Sequence, residues 1–214
     1  MTDSAQPVRD KASPGVPAKC IACNHELNSP VVCDYCHTLN PIHSLTDYFQ
    51  VLGVDRRFDL DADQLRKKFL ALNRHAHPDF HTSDTPEVRE LSLRVASTVN
   101  DAYRTLSDPV SRAEYLLELL GGPSSAADKS TPDGLVAEMM DLQEQIDEAP
   151  DKTRLAATLQ ARLDRMVDGL GKLFARIGAD AACEAVRQST LREIRHHLNA
   201  ISYLRRLVTL SESK

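Results

Sequence analysis

Apolar residues recur at helical spacing along most of this chain, and the interruptions between the runs divide it into elements. Leu65, Phe69, Leu72 and Ala76 stand at i, i+4, i+7 and i+11 and share one helical face. The opposite face carries Arg66, Lys67, Lys68 and Arg74. A polar stretch with Thr82, Ser83, Asp84 and Pro86 follows, and then Leu91, Val95, Thr98, Ala102 and Leu106 form a second stripe. Pro78 disfavours the α conformation at the residue before it, so the first helix should end at His77. The pattern predicts two helices joined by a loop, with His77-Pro78-Asp79 at its tip and a basic face leading into it.

Farther on, Ala113 to Leu120 reads as a short helix ended by Gly121 and Gly122, and Gly121 to Ala127 has the composition of a linker. Three more helical periods follow. They are Leu135/Met139/Leu142/Ile146, then Leu155/Leu159/Leu163/Met166/Leu170/Phe174/Ile177, then Val186/Leu191/Ile194/Leu198/Ile201/Leu204/Val208. Breaks at Pro150 and at Gly178 to Asp180 separate them, and three antiparallel helices in a bundle are the economical arrangement. Gly169 and Gly171 inside the middle helix call for either close packing or a bend. Cys183, beside Ala181, Ala182 and Ala185, reads as a small buried filler. The first bundle helix has more apolar surface than one stripe needs. Val136, Ala137 and Met140 adjoin Asp141 and Glu144, which suits either a partner site rimmed with carboxylates or a wide core face. The fold class is all-α.

Composition adds limits. The 214 residues allow one or two domains, with a third only if metal holds it. No apolar run approaches the roughly 18 residues of a membrane span. Residues 1–17 lack both an apolar signal core and an Arg-rich, acid-poor helix, so a disordered tail and a cytoplasmic location are expected. A net charge of −5 argues against nucleic acid as the main partner. The charge is uneven: basic on the helix ending at His77, acidic around Glu138, Asp141, Glu144, Asp147 and Glu148. Two faces of opposite sign suggest two different partners.

Four of the five cysteines form two C-x-x-C pairs, Cys20/Cys23 and Cys33/Cys36. Two residues between thiolates let both sulfurs turn toward one ion, and two such knuckles complete a tetrahedron. Structural zinc is the first expectation, ahead of iron in a rubredoxin-like site or a redox pair. Disulfides suit an oxidising compartment instead. His25 and His37 stand beside the knuckles and could replace a thiolate, although four cysteines suffice. So small a segment cannot bury a core, and metal should supply most of its folding energy. His75, His77, Asp79 and His81 make a poor metal site, because the helical residues before Ala76 splay the side chains. No Gly-rich phosphate loop, nucleophile elbow or H-E-x-x-H occurs, and the chain is read as an adaptor rather than an enzyme.

The tripeptide lies between Asp47-Tyr48-Phe49-Gln50-Val51-Leu52-Gly53-Val54 and Asn100-Asp101-Ala102-Tyr103-Arg104-Thr105-Leu106-Ser107-Asp108-Pro109. This order and spacing resembles the J-domain, with which co-chaperones stimulate the ATPase of a DnaK-type chaperone. Arg56-Arg57-Phe58-Asp59-Leu60-Asp61, Arg112-Ala113-Glu114-Tyr115-Leu116-Leu117 and the acidic helical tail resemble the HscB branch, which serves iron–sulfur cluster assembly. Animal-type HscB proteins are similar also in carrying an N-terminal tetracysteine module. The resemblance divides the chain into a tail (1–17), a zinc module (18–42), a J-domain (43–120), a linker (121–132) and a three-helix bundle (133–214).

It implies two partners. His77, Pro78 and Asp79, with Arg66, Lys67, Lys68 and Arg74 as an electrostatic face, would dock on an HscA/DnaK-type ATPase. Val136, Ala137, Met140, Asp141, Glu144 and Tyr203 would hold an IscU-type iron–sulfur scaffold. Val136 and Ala137 are smaller than the leucine and methionine usual in the family. A general J-protein delivering unfolded clients is the alternative reading, a zinc-dependent nucleic-acid adaptor a distant third, and a weak homodimer stays open.

Overall fold

The computed structural model describes residues 19–44, 46–132, 134–148, 153–179 and 183–212, so the expected tail and the break at Pro150 lie outside it. Among the described residues seven α-helices follow the small cysteine module: α1 (Tyr48–Leu52), α2 (Ala62–Ala76), α3 (Pro86–Ser107), α4 (Pro109–Leu119), α5 (Leu135–Glu148), α6 (Thr153–Ala179) and α7 (Glu184–Glu212). The chain forms two compact units. One holds the cysteine module and α1 to α3, and the other holds residues 57–60 and everything from Ser107 onward.

In the first unit the local signals act as read. Asp47 caps α1 through a reciprocal box with Gln50, and Gly53, in the left-handed region at φ 63°, ends it. Asp61 caps α2 by accepting the Gln64 N–H. His77 is extended at φ −64° and ψ 129°, so the helix stops at Ala76 and Pro78–His81 make a single 3-10 turn. The core joins Phe49, Val51 and Leu52 to Leu65, Leu72 and Ala76 of α2 and Val95, Val99, Ala102 and Leu106 of α3. Phe69 stacks on Tyr103 with ring centroids 4.1 Å apart. The last turn of α2 leaves carbonyls without helical partners, and the Ser92 hydroxyl of α3 donates to one of them, at Ala76, over 2.9 Å.

In the second unit α6 and α7 run antiparallel. Leu159, Leu163, Leu170 and Phe174 are buried, as are Leu191, Ile194, Leu198, Ile201, Leu204 and Val208. Helix α5 adds Leu135, Met139 and Ile146, and α4 adds Val110, Ala113, Leu116 and Leu117. Thus α4, read from sequence as the end of the J-domain, packs on α7 and α6 as a further helix of the bundle. Both glycines of α6 sit at close approaches. A Cβ on Gly169 would stand 3.3 Å from His197 Nε2, and one on Gly171 3.1 Å from Asp59 Oδ1. The expectation of a buried Cys183 fails: it stands exposed immediately before α7, where its carbonyl accepts the Arg187 N–H. A helix entry leaves the residue outside the packed face, however small it is.

Candidate functional sites

The two knuckles are built alike. Asn24 N–H closes on the Cys20 carbonyl at 3.0 Å, and His37 N–H closes on that of Cys33 at 2.9 Å. Both closing residues are left-handed, at φ 61° and 58°. Antiparallel bridges join Lys19 to Glu26 and Val32 to Leu39 at the base of each knuckle. The four Sγ atoms lie within 4.8 Å of one another. Cys20 to Cys36 is 3.5 Å and Cys23 to Cys33 is 3.6 Å. A disulfide needs about 2.05 Å, whereas a zinc tetrathiolate with bonds of about 2.3 Å has edges of about 3.8 Å. The Ala22 and Tyr35 amides each point at the sulfur two residues back, both at 3.4 Å, as suits thiolate acceptors.

Thiol chemistry fits the same conclusion. The Thr38 hydroxyl, 3.2 Å from Cys36 Sγ, and the Thr38 backbone hold that thiol at about 6. At Cys23 the backbone at His25 pulls the thiol down, but burial and the other sulfurs push it up to about 12. Four thiols this close cannot all ionise unless a cation compensates them. Neither neighbouring histidine takes part: His25 stacks on Tyr35 at 3.9 Å and His37 on His75 at 4.1 Å.

The His77-Pro78-Asp79 turn stands at the end of α2. The Asp79 amide donates to His77 Nδ1 over 3.2 Å. The Asp79 carboxylate is left 85% exposed. Arg66, Lys67 and Arg74 are exposed along α2. Lys68 departs from the expected free charge, because its ammonium donates to the Gly53 carbonyl and its stem is half-buried. Two exposed apolar residues escaped the sequence reading: Leu70, among the basic positions, and Phe80, edge-on to His77. Chain position alone could have marked Phe80, since it follows Asp79 directly. The remaining histidine, His81, is fixed between the Asp84 carboxylate and the His75 carbonyl, so these histidines do not converge on a metal.

A groove of about 240 Å³ opens between α5 and α7, lined by Leu135, Met139, Met140, Gln143, Tyr203, Arg206, Leu207 and Leu210. Met140 and Tyr203, singled out from sequence, meet here, and both are exposed. Ala137, Asp141 and Glu144 are exposed on α5, while the side chain of Val136 lies outside the described residues. Sequence reading missed Arg206, Leu207 and Leu210, although they stand at i+3, i+4 and i+7 from Tyr203 and so share its face. Glu138, one turn before Asp141, is engaged by both Nη atoms of Arg162.

Residues 47–115 match the DnaJ domain. The Proteus mirabilis co-chaperone protein HscB is 36% identical over 124 residues, which cover 56% of this chain and 72% of that protein. The chain belongs to the HscB family. An Arabidopsis thaliana iron–sulfur cluster co-chaperone HscB homolog is 28% identical over 164 residues, 75% of this chain but 65% of that protein, just under two thirds of its length. The crystal structure of human co-chaperone HscB superimposes with a TM-score of 0.67 at 24% identity, covering 88% of this chain and 93% of that one, and this likeness bears on the fold alone. In an HscB-type J-domain co-chaperone the exposed tripeptide turn therefore belongs to the J-domain match, the groove lies outside it, and the cysteine module precedes it. Among the described residues no helix is long and apolar enough to cross a membrane.

Proposed function

We propose that this protein is an adaptor in iron–sulfur cluster assembly, with no catalytic residues of its own, acting in the cytoplasm. Its J-domain stimulates the ATPase of an HscA/DnaK-type chaperone, and its α5/α7 groove holds an IscU-type scaffold. The observation that carries the reading is the exposed His77-Pro78-Asp79 turn at the end of a basic helix, inside a DnaJ-domain match. A solvent-facing carboxylate at the end of a helix with exposed cations suits a partner recognised by charge. Complementarity of that kind selects the partner and speeds encounter. Stimulation requires that docking favour the hydrolysing state over the resting one, since only differential affinity shifts an equilibrium.

The groove supports the second contact. Met140 and Tyr203 offer apolar surface in the groove, Arg206 lines it with them, and Asp141 and Glu144 are exposed carboxylates on the helix that carries Met140. Such a surface fits a folded protein that presents an apolar patch. We assign zinc to the four cysteines: a closed tetrahedral thiolate site keeps no open position, so the ion would be structural.

Steady-state ATP hydrolysis by the chaperone tests the reading, with this protein alone, with scaffold added, and with Asp79→Asn in place of the wild type. Synergy that requires both scaffold and Asp79 is expected. Stimulation indifferent to scaffold would favour a general J-protein instead, and atomic emission on the purified protein would identify the metal.

A further inference from the structure

The two knuckles differ at one telling position. Asn24 and His37 close equivalent turns in the same left-handed conformation. Asparagine adopts that conformation readily, so the turn itself does not ask for histidine. What His37 adds is a ring laid flat on His75, with centroids 4.1 Å apart and planes 3° from parallel. His75 occupies the last turn of α2, two residues before His77, and its carbonyl is held by His81 at 2.9 Å. Contacts therefore run unbroken from the residue after Cys36 to the turn that carries Asp79.

The same module grips the first unit at a second place. The Ser29 hydroxyl donates to the Val51 carbonyl of α1 at 2.7 Å, in a buried position. The Asn28 carbonyl approaches Gly53 so closely that a Cβ there would stand 2.8 Å from its oxygen. Gly53 in turn accepts from Lys68 of α2. Asn28 and Ser29 lie between the two cysteine pairs and His37 lies just after them, so one ion held by the four thiolates would order both grips.

We infer that the tetrathiolate module is a brace for the chaperone-facing turn, with His37 as the positioning residue that acts through His75, so that metal loading sets how well the turn is presented. Its chaperone-facing consequence rests on the functional reading above; the brace itself does not.

The test uses the full chain and His37→Asn, which gives the second knuckle the closing residue of the first. Cobalt(II) spectra should stay those of a tetrahedral tetrathiolate, showing that the module still closes. Hydrogen exchange at the Asp79 and Phe80 amides should accelerate roughly three- to tenfold, the range expected for losing one aromatic pair. His75→Ala should do the same and add nothing to His37→Asn, while His75→Phe, which keeps a ring in the stack, should leave exchange slow. Chelating the metal should produce at least the effect of His37→Asn. Half-maximal stimulation of the chaperone should then require a similarly higher concentration of His37→Asn, with the maximum little changed. Unchanged exchange in His37→Asn or in metal-free protein, or additive effects of the two histidine substitutions, overturns the brace. Coupled exchange without any stimulation by wild type supports the brace and overturns the chaperone reading instead.

Discussion

At His81 one imidazole ring faces two acceptors, Asp84 Oδ2 at 2.7 Å through Nδ1 and the His75 carbonyl at 2.9 Å through Nε2. A neutral ring has one N–H and can satisfy one of them; the imidazolium satisfies both. Burial pushes its pKa down, but the His75 carbonyl and the Asp84 carboxylate outweigh burial and hold it above the ordinary value. A raised pKa means that the folded state binds the proton more tightly than the unfolded chain. The stabilisation is complete below about pH 6.5, the unfolded value, and fades as pH rises through the folded one. NMR titration of the His81 ring should give a midpoint above that of an unstructured histidine. Asp84→Asn should bring it down, and an unmoved midpoint would mean that the carboxylate plays no part. His81 was read from sequence only as a member of a doubtful metal cluster. Its actual task, closing the loop onto the end of α2, depends on a backbone carbonyl that residue spacing does not reveal.

Among the helices α4 has the most to explain, because motif and packing assign it differently. The DnaJ-domain match runs to residue 115, yet α4 is packed with α6 and α7. Its buried Val110, Ala113, Leu116 and Leu117 face that bundle, and one buried cation reinforces the packing. Arg195 of α7 has a side chain only 1% exposed, and its guanidinium takes both carboxylate oxygens of Glu114 on α4. Its Nε donates to Asn199 Oδ1 at 3.0 Å, and the Asn199 amide holds the carbonyls of Asp128 and Ser130. The segment read as a linker is therefore pinned to α7. Glu114→Ala would strand the Arg195 charge and should cost about 2–4 kcal/mol, below the full buried-pair value because Glu114 is partly exposed. Arg195→Met removes the charge with its desolvation and should cost less. Urea unfolding of the two variants checks the order, and equal losses would show that the pair acts only through packing.

The helices themselves were legible, since stripes such as Leu191/Ile194/Leu198/Ile201 are periodic and all of these residues are buried. The partner of α4 was not, because Glu114 and Arg195 are 81 residues apart and each looks like an ordinary surface charge in its own helix. The glycines of α6 carry the same lesson. Close packing and bending leave identical sequence traces, and the close packing is visible only through Asp59 and His197, which come from elsewhere in the chain.

Across the whole molecule the two candidate partner sites lie in different compact units, the tripeptide turn in the first and the groove in the second. Sites that share no residue and lie in different units should respond independently to substitution. Met140→Asp places a charge on the exposed apolar lip of the groove, and Tyr203→Ala removes the ring across from it. Each should weaken scaffold binding by roughly ten- to a hundredfold, the range for truncating an interface anchor. Stimulation of the chaperone measured without scaffold should not change. Asp79→Asn should do the reverse, abolishing stimulation while calorimetry returns an unaltered scaffold affinity. Binding unaffected by Met140→Asp would move the scaffold off this groove. Loss of scaffold-free stimulation in the groove variants would couple the units, and the two activities would then have to be derived from one shared surface rather than from two.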